Sequence, residues 1–345
     1  MTGAQGGGDA PLEISNAAAE PPARRRRWPW IVALVLLVPS LLVAAGAGAI
    51  WHRYTSPGPL TQARDVLVPR GGLSAAADAL TREGVITDPL LFRLAAMATH
   101  KDGELRAGEF AFPPAASPRD VLNILRTARF VQHRLTIPEG LTAKQITAIL
   151  ARGDILAGDV PPIEEGSLLP QTYAFERAAL RASLAARAKA AMDKALADAW
   201  AGKAPDLPLA NPREALILAS IVERETARPE ERPHVAAVFL NRLRLGMRLQ
   251  SDPTVVYAAS DGLGVLDHPI TRAELDRDSP YNTYRIKGLP PTPIAAPGLA
   301  SIQAVLHPIA SDDLYFVADG TGGHVFARTV EEHNKNVARW RAMGR

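Results

Sequence analysis

One carboxylate in this sequence stands where a carboxylate is seldom placed. Glu223 ends the run Ala215-Leu216-Ile217-Leu218-Ala219-Ser220-Ile221-Val222, which is apolar nearly all round and so reads as a buried helix. By the helical period it sits above Leu216, Ala219 and Ser220, and the two small residues leave room to reach it. A carboxyl group there loses solvation, which favours its protonated form. A proton held near neutral pH is what a general acid requires. The plainer reading is a buried ion pair, for instance with Arg242. Glu225 falls about 200° further round the helix and reads as solvent-facing, or as paired with Arg224 or Arg228.

A second group of polar residues crowds into segments otherwise unsuited to the surface. Gln250, Asp252, Thr254 and Tyr257 lie within nine residues, followed by Asn282 and Tyr284 in Tyr281-Asn282-Thr283-Tyr284, and then the turn Gly288-Leu289-Pro290-Pro291. Aromatic faces beside amide and hydroxyl groups suit sugar rings, which offer apolar CH faces and polar edges. Taken singly, each residue is equally explained by ordinary turn chemistry. His324 follows Gly320-Thr321-Gly322-Gly323 in a strand–turn–strand pattern, placed evenly between touching a ligand and packing. The chain has no cysteine, which excludes disulfides, thiolate metal sites and cysteine nucleophiles. Its eight histidines are scattered without HExxH spacing, so neither a metal nor a cofactor is expected.

The elements that must hold these groups are marked by their own signals. Asn211-Pro212-Arg213-Glu214 has the form of a helix start, with Asn as cap, Pro at the first turn and Glu reaching back to the cap. A second helix from Pro233 buries Val235, Val238, Phe239 and Leu243 and is ended by Gly246. Residues 172–202 include a long Ala-rich helical stretch with charged outer faces, and a last helix over 329–340 closes the domain. Further upstream, Val68-Pro69-Arg70-Gly71-Gly72-Leu73-Ser74 is echoed by Ile137-Pro138-Glu139-Gly140-Leu141-Thr142, each opening an amphipathic helix. Residues 66–68 and 108–112 read as strands flanking helices over 73–83 and 89–99, and Ser117 caps a further helix. This strand–helix–helix–strand unit resembles the LysM fold, a small module that binds N-acetylglucosamine polymers; a packing module without ligand fits equally well.

Near the N-terminus, no charge occurs from Trp28 to Trp51, a length sufficient to cross about 30 Å of hydrocarbon. Trp28, Trp30 and Trp51 flank the stretch as interfacial anchors would, and four arginines at 24–27 precede it. The positive-inside rule leaves the first 27 residues cytoplasmic and the rest outside, at the inner (cytoplasmic) membrane. A cleaved signal peptide is the alternative, with small residues at 44–49 as the cleavage region. The net charge of +3 owes much to that arginine run, and no basic stripe elsewhere points to nucleic acid. The expected organisation is a disordered tail (1–27), a membrane helix (28–51), a linker (52–64), a LysM-like domain (65–129) and a larger α+β domain (130–345).

Several blocks, taken together, carry a more specific resemblance. They are Ala219-Ser220-Ile221-Val222-Glu223-Arg224-Glu225-Thr226, Val238-Phe239-Leu240-Asn241-Arg242-Leu243, Gly246-Met247-Arg248-Leu249-Gln250-Ser251-Asp252-Pro253-Thr254-Val255, Tyr281-Asn282-Thr283-Tyr284, and Phe316-Val317-Ala318-Asp319-Gly320 with His324-Val325-Phe326. In order and spacing they resemble the YceG-like, MltG-type endolytic murein transglycosylases over residues 52–345. Gln171, in Pro170-Gln171-Thr172-Tyr173, departs from that family's usual Asp, so no catalytic role is expected of it.

The resemblance implies an α+β YceG-like catalytic domain and a lyase that cuts the β-1,4 bond between N-acetylmuramic acid and N-acetylglucosamine in nascent glycan strands. It places the catalytic glutamate at Glu223. Glycosidases ordinarily use two carboxylates, whereas a lytic enzyme can use one, because the muramyl C6 hydroxyl closes a 1,6-anhydro ring in place of water. Gln250, Asp252, Thr254, Tyr257, Asn282, Tyr284 and His324 are the expected substrate-binding residues, with Asp252 the nearest second acid should water be the nucleophile. Peptidoglycan strands and the membrane are the expected partners, with wall synthases as candidates. A non-catalytic glycan-binding scaffold is the reading from a different class.

Overall fold

A computed structural model of the chain describes residues 28–343, so the tail expected over 1–27 lies outside the described residues. From the N-terminus, helix α1 (Trp28–Thr55) is followed by β1 (Arg64–Val68), α2 (Gly72–Arg82), α3 (Pro89–Ala98), β2 (Gly108–Phe112) and α4 (Pro118–Thr127). Then come β3 (His133–Thr136), α5 (Ala143–Ala151), β4 (Thr172–Phe175), α6 (Arg181–Ala201), α7 (Pro212–Glu225) and α8 (Arg232–Arg244). The C-terminal part holds α9 (Asp252–Ala259), α10 (Arg272–Asp276), α11 (Leu299–Leu306), β5 (Tyr315–Ala318), β6 (His324–Ala327) and α12 (Val330–Met343). The architecture is α+β, with its described strands in two-stranded ribbons β1–β2, β3–β4 and β5–β6.

The chain divides into two compact units. The first takes residues up to 63 together with 71–105 and 112–126; the second takes 64–70, 106–111 and 127 onward. In the first unit, α1 runs four residues past Trp51, to Thr55, and stops before Pro57, which disfavours helical backbone at Ser56. Trp30–Thr55 is long and apolar enough to cross a membrane. Asp88 caps α3 by accepting from the Leu91 N–H, and Ser117 and Asp120 exchange bonds at the start of α4.

In the second unit, β3 and β4 pair antiparallel, with His133 opposite Phe175 and Thr136 opposite Thr172. Residues 172–175 are therefore strand, and the Ala-rich helix begins only at Arg181. Their alternation is the reason: Tyr173 and Phe175 are buried while Thr172 and Ala174 face out. These two aromatics share a core with Ile137, Ile146, Leu150 and Leu184. A second, larger core gathers around α7, whose Ala215, Leu218, Ala219, Ile221 and Val222 are fully buried. Val235, Phe239 and Leu240 of α8 and Ile302, Val305 and Leu306 of α11 pack on them. Each large side chain so buried contributes about 1.5–3 kcal/mol, and α7 lies at the centre of this core. Asn211 caps it by accepting from the Glu214 N–H, but the Glu214 carboxylate reaches one residue beyond the cap, to the Ala210 N–H. Gly246, at φ +63°, supplies the left-handed turn that ends α8.

Candidate active site

The last turn of α7 sends four consecutive side chains to four different walls. Glu223 comes first. Its side chain is only 4% exposed, and both oxygens accept bonds: Oε1 from Arg232 Nη2 at 3.0 Å, Oε2 from the Gly298 N–H at 2.9 Å. The ion-pair partner is thus Arg232, at the start of α8, and not Arg242. Arg242 lies instead over the Tyr315 ring and donates to the carbonyls of Leu249 and Leu314. The same Arg232 Nη2 stands 3.5 Å from Glu139 Oε2, in the turn between β3 and α5. Glu139 is half exposed and lies directly over Gly298, so a second carboxylate flanks Glu223 through one shared arginine. Arg232 Nε, also buried, has no acceptor among the described residues. Ser220, expected to leave space beside Glu223, is instead enclosed: it donates to the Ile217 carbonyl and accepts from the Ile294 N–H. Of the groups around Arg232, Glu139 is the one that reaches solvent.

Arg224 comes next and donates to the carbonyls of Gly140 and Gly264, tying the β3–α5 turn and the loop after α9 to the helix end. Glu225 then turns inward, away from both Arg224 and Arg228. Ser251 donates to it at 2.8 Å, and burial pushes its carboxyl up to about 7, with the nearby Asp252 charge adding to the rise and Arg242 opposing it. A helical wheel gives an angle around α7; it does not say that the segment carrying Ser251 closes over that angle. Thr226 is fourth. It donates to Glu231, which also accepts from the His324 backbone N–H and faces His324 Nδ1 at 2.7 Å. Burial works to raise the Glu231 carboxyl, but the His324 and Thr226 contacts together hold it below the usual carboxylate range.

The other expected residues fall into three groups. Asp252 and Tyr284 meet, the phenol donating to Asp252 Oδ1 at 2.6 Å; burial first, then that carboxylate, raises the phenol above its ordinary value. Both lie beside Glu225, and exposed Gln250 leads into the same segment with a left-handed φ of +51°. Thr254 and Asn282 are committed to structure. Thr254 is fully buried between Ser251 and Thr283, and the Asn282 amide donates to the carbonyls of Glu274, Leu275 and Arg277. Neither side chain offers a free group to a ligand. Tyr257 points elsewhere, its ring tilted against that of Tyr281 with centroids 4.9 Å apart and its hydroxyl donating to Glu165, whose carboxyl burial raises. Among the described residues no group of His, Asp and Glu is arranged to hold a metal ion.

Fold and site define an α+β domain organised around an acidic helix terminus, with one enclosed carboxylate, a shared arginine and a second, half-exposed carboxylate. The chain belongs to the YceG-like family, whose model matches residues 66–339. Relatives of this chain carry the name endolytic murein transglycosylase. That of Bacillus subtilis is 47% identical over 120 residues, covering 35% of this chain and 32% of the relative. That of Streptococcus pneumoniae is 32% identical over 310 residues, covering 75% of this chain and 55% of the relative. This chain therefore spans between a third and about half the length of these relatives. The crystal structure of a yceG-like protein from Listeria monocytogenes matches with a TM-score of 0.51 at 30% identity, covering 79% of this chain and 98% of that one.

Proposed function

We propose that this protein is a membrane-anchored lytic transglycosylase that cuts peptidoglycan glycan strands internally, with Glu223 as its catalytic acid and base. The observation that carries the reading is the seat of Glu223: an enclosed carboxylate at the end of a buried helix, held by a backbone N–H and by one arginine that it shares with the half-exposed Glu139. In the first step Glu223 gives its proton to the oxygen leaving C1 of the muramyl residue. In the second, as carboxylate, it takes the proton of the muramyl C6 hydroxyl as that oxygen bonds C1. One bond breaks, one forms and no water is consumed. Both Glu223 oxygens accept bonds here, so donation requires one contact to open. Arg232 can shift toward Glu139, and its unsatisfied Nε is a donor available to a sugar oxygen.

The nearness of Glu139 favours one second reading, a muramidase in which Glu139 directs water, since paired carboxylates are the ordinary glycosidase arrangement. The products decide. The full chain, purified in detergent and incubated with isolated peptidoglycan, is expected to release fragments ending in 1,6-anhydro-N-acetylmuramic acid, one water lighter than hydrolytic products by mass spectrometry. The Glu223→Gln variant is expected to lose at least about 100-fold in rate, in line with the loss of a general acid/base. Reducing ends would establish the hydrolytic reading, and undiminished activity of the variant would remove Glu223 from the chemistry. In this reading the helix α1 is the anchor, with residues 1–27 cytoplasmic and the site outside the membrane, where new strands emerge.

A further inference from the structure

Helix α3 is apolar but only ten residues long, too short to cross a bilayer. Phe92 and Ala96 are buried within the first unit, whereas Leu90, Leu94 and Met97 are 58%, 52% and 55% exposed. Their spacing of four and three residues puts them on one stripe. A water-facing domain seldom leaves such a row uncovered.

The position of the stripe says what covers it. Within the first unit, α3 lies against the C-terminal part of α1: Ile50 and Trp51 face Leu91, Leu94 and Ala98 across an apolar groove of about 530 Å³. The Arg53 guanidinium, 3.8 Å from the Asp88 carboxylate, ties the end of α1 to the residue that caps α3. Depth follows from the helix rise. With Trp30 at the inner boundary, about 20 residues at 1.5 Å each cross about 30 Å of hydrocarbon and bring Ile50 and Trp51 to the outer boundary. A helix packed against those residues lies at the level where acyl chains meet headgroups. Arg93, His100 and Lys101 in and just after α3 supply the basic flank that interfacial helices use.

We propose that α3 lies in the outer interface of the bilayer, with Leu90, Leu94 and Met97 in contact with lipid, as a second membrane attachment beside the anchor. The proposal rests on the reading of α1 as a spanning helix. Its partner is the lipid surface, and its consequence is that the first unit cannot swivel freely about the anchor.

Because the chain has no cysteine, single substitutions can carry a fluorophore at chosen positions. The full chain, with Leu90→Cys, Leu94→Cys or Met97→Cys, is reconstituted in nanodiscs of phosphatidylcholine and phosphatidylglycerol. It is then quenched either by lipid-borne nitroxide or by aqueous iodide. Leu36→Cys, inside α1, reports whether the anchor is inserted, and Arg119→Cys, exposed on α4, serves as the aqueous reference. The α3 labels are expected to be at least about twofold more quenched by the lipid nitroxide than the label at 119, and shielded from iodide, as for a helix immersed in the interface. Labels on α3 that behave like the one at 119, while the label at 36 is quenched from lipid, would overturn the proposal and leave the anchor standing. Labels shielded from both quenchers would overturn it in favour of a protein partner such as a second copy. A label at 36 that iodide reaches would remove the anchor itself, and the proposal with it.

Discussion

At the scale of single residues, the site contrasts two glutamates two positions apart. Glu223 is held by a guanidinium and a backbone N–H, while Glu225 faces a hydroxyl donor and the neighbouring charge of Asp252. Burial leads in raising Glu225 from 4.5 to about 7, and this fixes the sign of its effect on stability. Below both values the group is protonated folded or unfolded and contributes nothing. Between them the folded state alone retains the proton, so stability falls as pH rises, and above about 7 the full cost, roughly 3 kcal/mol, is present. Glu225→Gln keeps the shape and removes the titration. The difference in unfolding free energy between variant and native chain, measured by denaturant from pH 4 to pH 8.5, is expected to shift by roughly 3 kcal/mol in the variant's favour as pH rises. A difference that stays flat across that range would show that Glu225 is not enclosed as described.

At the scale of elements, the candidate site is the end of α7 together with the turns it holds. Arg224 bonds the β3–α5 turn that carries Glu139, and Gly298, the cap of α11, donates to Glu223. Gly298 has φ −72° and ψ 164°, which any residue adopts, so its lack of a side chain serves space and not backbone freedom. A Cβ there would collide with Glu139 Oε1. Gly298→Ala is thus expected to displace the Glu139 carboxylate while costing about 1 kcal/mol at the helix cap. The rate of glycan release should fall about tenfold or more, as misplacement near a reacting centre does, with only a small loss of thermal stability. A rate that merely tracks the stability loss would leave Glu139 without a part.

The same elements show what the chain's own pattern could and could not disclose. The Asn211 cap and the apolar run behind Glu223 are local signals, and so α7 and the enclosed carboxylate at its end were legible. The pairing of β3 with β4 joins segments 36 residues apart, and nothing near residue 172 announces it. Glu139 sits in a turn whose Gly-rich form is visible, but its closeness to Glu223 depends on Arg232 and on the missing side chain at 298. The burial of Glu225 likewise comes from a segment that returns across α7 only in three dimensions. Asn282 was misleading for the opposite reason: an amide in a polar loop suits a ligand and three backbone carbonyls equally well, and here the carbonyls have it.

At the scale of the whole molecule, the question is which side of a membrane holds the site. The family match begins at residue 66, beyond α1, so the proposal that α1 is an anchor rests on its own physical chemistry. Four arginines at 24–27 precede the uncharged span, while only His52 and Arg53 follow it closely, and in the proposed reading this asymmetry directs the N-terminus to the cytoplasm. The proposed glycan-cutting activity needs that direction, since the opposite one would enclose Glu223 with no substrate. The absence of cysteine again allows a direct measurement. An impermeant maleimide applied to cells stripped of their wall is expected to label Leu245→Cys, an exposed position of the second unit, without lysis. Ser15→Cys, ahead of the arginines, is expected to label only after lysis. The reversed pattern would put the site in the cytoplasm and end the glycan-cutting assignment. A shortened chain released from the membrane, having lost position 15, would show instead that the apolar segment is a cleaved signal.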